Sequence, residues 1–206
     1  MRVSHSFQKI VRSERGTAVT EFGLVAPILC VMLMGMLDLG HTLYMQSVLQ
    51  GTMQKAARDA SLETGTQSST QNVIDAVVTE QVQRLAKNAT VTITRTNFRD
   101  YTKAATAVKE PFTDSSIGSP YRNGTCDHGE PYQDNNNSGS WDIDNGKNGQ
   151  GGAQDTVIYS AQVSYPRLFP FMKAVGLPAN VTITASTALV NQPYGDQAAI
   201  TVRNCT

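Results

Sequence analysis

Hydrophobic positions crowd the beginning of the chain and thin out over the rest. From Phe22 to Leu37 (FGLVAPILCVMLMGML) sixteen successive residues carry no charge, and the run extends to Tyr44 if Asp38 and His41 are tolerated. That supplies the roughly 20 residues a membrane helix needs. Past Tyr44 the apolar positions Met45, Val48, Leu49, Met53, Ala56, Ala57 and Ala60 return at three- and four-residue steps, which predicts that the helix runs on to about Glu63. Counted from Thr17 it would measure about 70 Å. Its outer half then needs a sheet of its own chain, or other subunits, against its apolar stripe.

The pattern changes after Glu63. Gly65 to Thr70 (GTQSST) is a polar break, and Asn72 to Ala86 places Val73, Val77, Val78, Val82 and Leu85 at helical spacing, predicting a second, shorter amphipathic helix. Three segments then alternate in period two: Ala89 to Phe98, Thr156 to Tyr165 and Val181 to Val190. They read as strands. Helices first and strands afterwards predict an α+β fold with an antiparallel sheet rather than a parallel α/β one. Arg167 to Gly176 reads as a short helical or irregular crossover, and residues 111–154 as a loop-rich insert.

Charge sets the topology. Residues 1–16 carry Arg2, Lys9, Arg12 and Arg15 against the single acid Glu14, and the positive-inside rule then puts this end in the cytoplasm. The expected organisation is a basic cytoplasmic leader (1–16), a transmembrane helix (17–45) and an extracytoplasmic head (46–206). A secretory signal peptide also has a basic start, but the apolar run is too long for one and no small-x-small cleavage pattern directly follows it. Over the whole chain seventeen Lys and Arg balance seventeen Asp and Glu. No global basic field exists to attract nucleic acid.

Of the three cysteines, Cys30 lies in the apolar run, which leaves Cys126 and Cys205 as one possible pair outside the membrane. Nothing reads C-x-x-C and His128 stands alone beside Cys126, so a disulfide on an oxidising side fits better than zinc. His5, His41 and His128 give no base placed for Ser-His-Asp or Cys-His chemistry. The glycine-rich Gly146 to Gly152 lacks the order of a phosphate-binding loop. The chain reads as a non-enzyme.

Glu21 stands one residue before the apolar run, where a carboxylate is costly unless paired. If the chain were cut after Gly16, the new amino group of Thr17 would lie four residues away on the same helix face. Arg15-Gly16, then Thr17-Ala18-Val19-Thr20, then Glu21-Phe22 resembles a type IV prepilin processing site. The wider stretch, with Gly16, Glu21, Phe22, Leu24, Pro27, Asp38, Gly40 and the Ala56, Ala57, Ala60 set, resembles the TadE-like minor pseudopilins of tight-adherence (Flp) pilus systems. Ala185 to Tyr194 resembles the closing strand of that family more loosely, with Gln192 where members often have Glu.

The resemblance implies a structural or assembly component of a pilus or related secretion apparatus, anchored in the bacterial inner membrane and cut between Gly16 and Thr17 by a prepilin peptidase. The implied partners are that peptidase, other pilins and pseudopilins, and inner-membrane assembly components. Within the anchor, Pro27 reads as a tolerated kink, Cys30 as packing, and Asp38 with His41 as a pair near the interface.

One loop carries pointed chemistry. Asp134, Asn136 and Ser138 occupy places one, three and five of an EF-hand-like loop, Gly139 the turn at six and Asp142 place nine, while Asn145 stands at twelve where a bidentate Glu belongs. Asp144 or Glu130 could supply the missing carboxylate. Calcium is the cofactor this pattern suggests. The competing function is an uncleaved, single-pass surface interaction or adhesion module with a calcium-stabilised head.

Overall fold

A computed structural model describes residues 15–106, 108–115, 122–170, 173 and 176–206. The expected leader lies outside the described residues except for Arg15 and Gly16, and so do 107 and 116–121 in and beside the expected insert. The chain divides into two compact units. One takes in the described residues up to Tyr44 with Arg167–Ala179; the other comprises Met45–Pro166 and Asn180–Thr206.

Helix α1 spans Arg15–Ala60 and continues through Pro27 without a break. Proline removes one backbone hydrogen bond, a loss that membrane helices tolerate. The predicted end near Glu63 is late. Ser61 still donates to the Ala57 carbonyl at 3.0 Å, but Glu63–Thr66 then form a 3-10 turn in which Gly65 donates to Leu62 at 2.8 Å. Gly65 is pressed against the Ala60 carbonyl, and a Cβ there would run into it. The turn therefore closes where the side chain is missing.

Helix α2 spans Ser68–Leu85, starting before the predicted Asn72. Its apolar stripe begins only in the second turn, so hydrophobic spacing alone places the start too late. Strand β1 (Thr90–Phe98) follows, then the short helix α3 (Tyr101–Ala105), capped by the Asp100 carboxylate on Lys103 N–H at 2.9 Å. Later strands are β2 (Pro131–Asp134), β3 (Lys147–Asn148), β4 (Thr156–Pro166), β5 (Asn180–Val190) and β6 (Thr201–Asn204). The main sheet has the order β3-β1-β4-β5, and β2 with β6 forms a separate two-stranded sheet. Every pairing is antiparallel, with Ile93 opposite Ala161 and Ala161 opposite Ala185.

The α+β architecture expected from the sequence is present, and the three long strands lie within a residue or so of their predicted limits. β2, β3, β6 and α3 were not foreseen. They are short, and β2 and β6 derive their order from each other rather than from an apolar repeat.

The core of the larger unit joins both helices to the sheet. Met45, Leu49, Met53, Ala57 and Ala60 from α1 and Ile74, Val78 and Val82 from α2 pack with Val157, Tyr159 and Val163 of β4 and Ile183 and Leu189 of β5. β4 is central, and Val157, Tyr159, Ala161 and Val163 along it are completely buried. Burial of the larger apolar side chains in this cluster provides most of the adhesion, at about 25 cal/mol per Å².

Candidate functional site: an anchoring helix and an oxygen-rich loop

Along α1 the exposure of large apolar residues changes within one step. Phe22, Leu24, Ile28, Met36 and Leu39 are each more than half exposed, and Leu43 and Tyr44 are both 57% exposed. Met45 is 1% exposed and Leu49 not at all. The same helix thus offers a largely exposed apolar surface up to Tyr44, covered locally at Asp38, and a packed stripe from Met45 onward. It is long and apolar enough to cross a membrane. An uncovered apolar surface of that size is stable only against lipid or other protein.

Gly16 and Thr17 of the expected processing site stand in the first turn of α1, and Glu21 and Phe22 lie one turn further on. Thr20 returns its hydroxyl to the Thr17 carbonyl at 2.8 Å. Glu21 is exposed, four residues from Thr17 and so on the same face.

Asp38 finds a partner that the sequence reading did not foresee. Its carboxylate is 4% exposed, pairs with the Arg167 guanidinium and accepts Leu168 N–H at 3.3 Å. Arg167 lies 129 positions away, and no local spacing signals the contact. Arg167 also closes the neck of its own segment, through its backbone N–H on Ala179 at 3.0 Å and its Nε on Pro178 at 2.8 Å.

In the head, three buried carboxylates organise the insert. Glu110, 1% exposed, accepts the backbone N–H of Asn135 at 2.8 Å and of Asp142 at 3.1 Å, while its own carbonyl accepts the Trp141 indole N–H at 2.9 Å. Burial holds its carboxyl above the ordinary glutamate range, and those backbone amides pull the other way. Fully buried Glu130 accepts the N–H groups of Ser115 at 2.6 Å and Asp127 at 3.0 Å. Asp134 is buried too. Its oxygens take Ser138 N–H at 2.9 Å, Gly139 N–H at 3.0 Å and the Arg203 Nε at 2.7 Å.

The other residues of the expected calcium loop are hydrogen-bonded in the same way. Asn136 Nδ2 donates to Asp142 at 2.9 Å, Ser138 donates its hydroxyl to Asp142 at 2.6 Å, and Asp144 accepts Gly146 N–H at 3.1 Å. Asn137 and Asn145 adopt left-handed backbone conformations, φ 52° and 54°, which asparagine tolerates better than most residues. Asn145 therefore acts as a turn residue. Among the described residues no group of three or more His, Cys, Asp or Glu side chains is placed to hold a metal ion. Glu130 serves Ser115 and Asp127 instead of the Asp134 loop.

Cys126 and Cys205 form the expected disulfide, with Cα atoms 5.9 Å apart. The penultimate residue is held further by Cys205 N–H on the Glu130 carbonyl and Gly129 N–H on the Cys205 carbonyl, both at 2.9 Å. The bridge, the β2–β6 pairing and the Arg203–Asp134 ion pair thus fasten the C-terminus to the insert.

Together these features define an α+β protein in which one helix, long and apolar enough to cross a membrane, continues into the core of a disulfide-bonded head. Residues 16–58 match the model of the TadE-like protein family. No curated protein and no solved structure matches the chain. The family match covers the apolar helix and its packed continuation and ends before α2, β1 and the insert begin.

Proposed function

We propose that the chain is a minor pseudopilin of a tight-adherence (Flp) pilus or related secretion apparatus, with a structural role in assembly and no catalytic one. The observation that carries this reading is the switch on α1 between Tyr44 and Met45, inside the segment that matches the TadE-like family. A helix that is apolar and exposed at one end and core-forming at the other suits a protein whose work is packing and registration.

In this reading the N-terminus is cytoplasmic, the helix crosses the bacterial inner membrane and the head lies in the periplasm or on the fibre. A prepilin peptidase cuts between Gly16 and Thr17. The freed Thr17 amine then faces Glu21, in the same chain or a neighbouring one, and compensates a carboxylate at the membrane edge. Other pilins and pseudopilins, the peptidase and inner-membrane assembly components are the partners.

The test is the mature N-terminus, read by mass spectrometry of membrane fractions from cells with an active prepilin peptidase. The expected species begins at Thr17. A chain that retains Met1 to Gly16 would sink the pseudopilin reading and favour the uncleaved surface module. In a second arm, Glu21→Ala should leave the head folded and reduce incorporation into the assembly complex.

A further inference from the structure

We infer that the β4–β5 connection is, through its described residues 167–170, 173 and 176–179, a second membrane contact, seated in the lipid headgroup region on the head's side of the bilayer and held at that depth by the Asp38–Arg167 pair. Connections between strands are ordinarily polar because they face water. This one carries Leu168, Phe169 and Leu177, and Leu168 is 50% and Leu177 41% exposed.

The position of the segment supplies the occupant. It groups with the membrane part of α1 and not with the head. Its fixed point, Asp38, is the first charged residue after the sixteen-residue uncharged run, so the contact lies where the hydrocarbon ends. Just beyond, Leu39, Leu43 and Tyr44 are exposed on α1, and they extend the apolar band into the zone where tyrosine commonly sits at an interface. Leu168, whose backbone N–H rests on the Asp38 carboxylate, adds to that band. The exposed Lys173 supplies positive charge suited to lipid phosphates. The nearly buried Asp38 carboxylate is costly without its guanidinium, which makes the pair a depth stop and not an incidental surface bridge.

The inference rests on α1 crossing a bilayer, and the experiment reports on that separately. The full-length chain, with Cys30→Ala and the native disulfide intact, is reconstituted in vesicles of phosphatidylcholine and phosphatidylglycerol. Single cysteines at Leu168→Cys, Ile28→Cys or Val77→Cys carry an environment-sensitive fluorophore. The Ile28 label should be quenched by nitroxides deep in the acyl chains. The Leu168 label should be quenched by headgroup nitroxides several-fold more than the Val77 label on exposed α2, and be shielded from aqueous iodide. Arg167→Ala should return it to iodide, whereas Arg167→Lys should keep it in lipid.

An Ile28 label untouched by lipid nitroxides removes the spanning helix and the inference with it. With Ile28 in lipid, a Leu168 label as open to iodide as Val77 overturns the inference alone. Shielding from iodide without lipid quenching means that a second copy covers the segment, and overturns it too. Unchanged quenching in Arg167→Ala overturns the depth stop.

Discussion

Arg95 on β1 grips the Asp75 carboxylate of α2 with both terminal nitrogens, at 2.8 and 2.5 Å, and Tyr159 of β4 donates its hydroxyl to the same carboxylate at 2.7 Å. The guanidinium lies over the Tyr159 ring, 4.6 Å from its centre. One carboxylate thus ties a helix to two strands at the surface of the core. Arg95 has a side chain only 9% exposed, so removing its partner strands a charge. Asp75→Ala is expected to destabilise the head by about 3 kcal/mol, whereas replacing both Asp75 and Arg95 with apolar residues of similar size should cost much less. Chemical denaturation of the single and double variants checks this. Equal losses would show that the pair matters only through packing.

The disulfide closes a loop with a sequence separation of 79, long enough for its removal to cost about 4 kcal/mol in the chain-entropy picture. Cys126→Ser with Cys205→Ser should lower stability by about that amount, and the β2–β6 pairing should be the first to exchange its amide hydrogens. Alkylation of unreduced, detergent-solubilised protein should label one thiol per chain, Cys30. Three labelled thiols would refute the bridge.

Glu110 gives the head a pH dependence of unusual sign. Burial raises its folded pKa above the unfolded value, so the folded state keeps a proton that the unfolded chain has already lost. Its contribution to stability is therefore full below the ordinary glutamate range and is lost as pH climbs through the folded value. Glu110→Gln does not titrate. The stability advantage of wild type over this variant should be largest in acid and shrink as pH rises above the ordinary glutamate range, measured as urea midpoints at fixed ionic strength. A gap that widens toward neutral pH would mean that the Asn135 and Asp142 amides outweigh burial.

What could be read in the sequence follows from the range of each interaction. Periodicity located α1, α2 and the three long strands because repeats such as Met45, Leu49, Met53 or Val157, Tyr159, Ala161 report burial residue by residue. Two cysteines outside the apolar run sufficed for the disulfide. Asp38–Arg167 and Asp75–Arg95 were not legible, since partners 129 and 20 positions apart leave no local spacing to detect. Glu110 was missed for a related reason. Its polar neighbours Asn135 and Asp142 reach it only after the insert folds back, and a lone glutamate before a proline gives no sign of burial.

The Asp134 loop is where sequence pattern and structure suggest different chemistry, and calcium is the measurement that separates them. Alternating oxygens from Asp134 to Asp142 suit a hard cation outside the cell, where millimolar calcium fills even sites with affinity of about 10⁻⁴ to 10⁻³ M. In the folded head, however, the buried Asp134 carboxylate already accepts two backbone amides and faces the Arg203 guanidinium at 2.7 Å. A divalent cation would have to share that carboxylate with a resident positive charge. Calcium and chelator should therefore give the same melting temperature for the wild-type protein. Arg203→Ala should cost about 2 kcal/mol by leaving a buried carboxylate without its charged donor, and calcium should then recover part of the loss by taking the vacated place. Asp134→Asn should abolish that recovery. A wild-type melting temperature that falls with chelator would instead assign the loop to calcium and make Arg203 the substitute that holds Asp134 when the metal is gone.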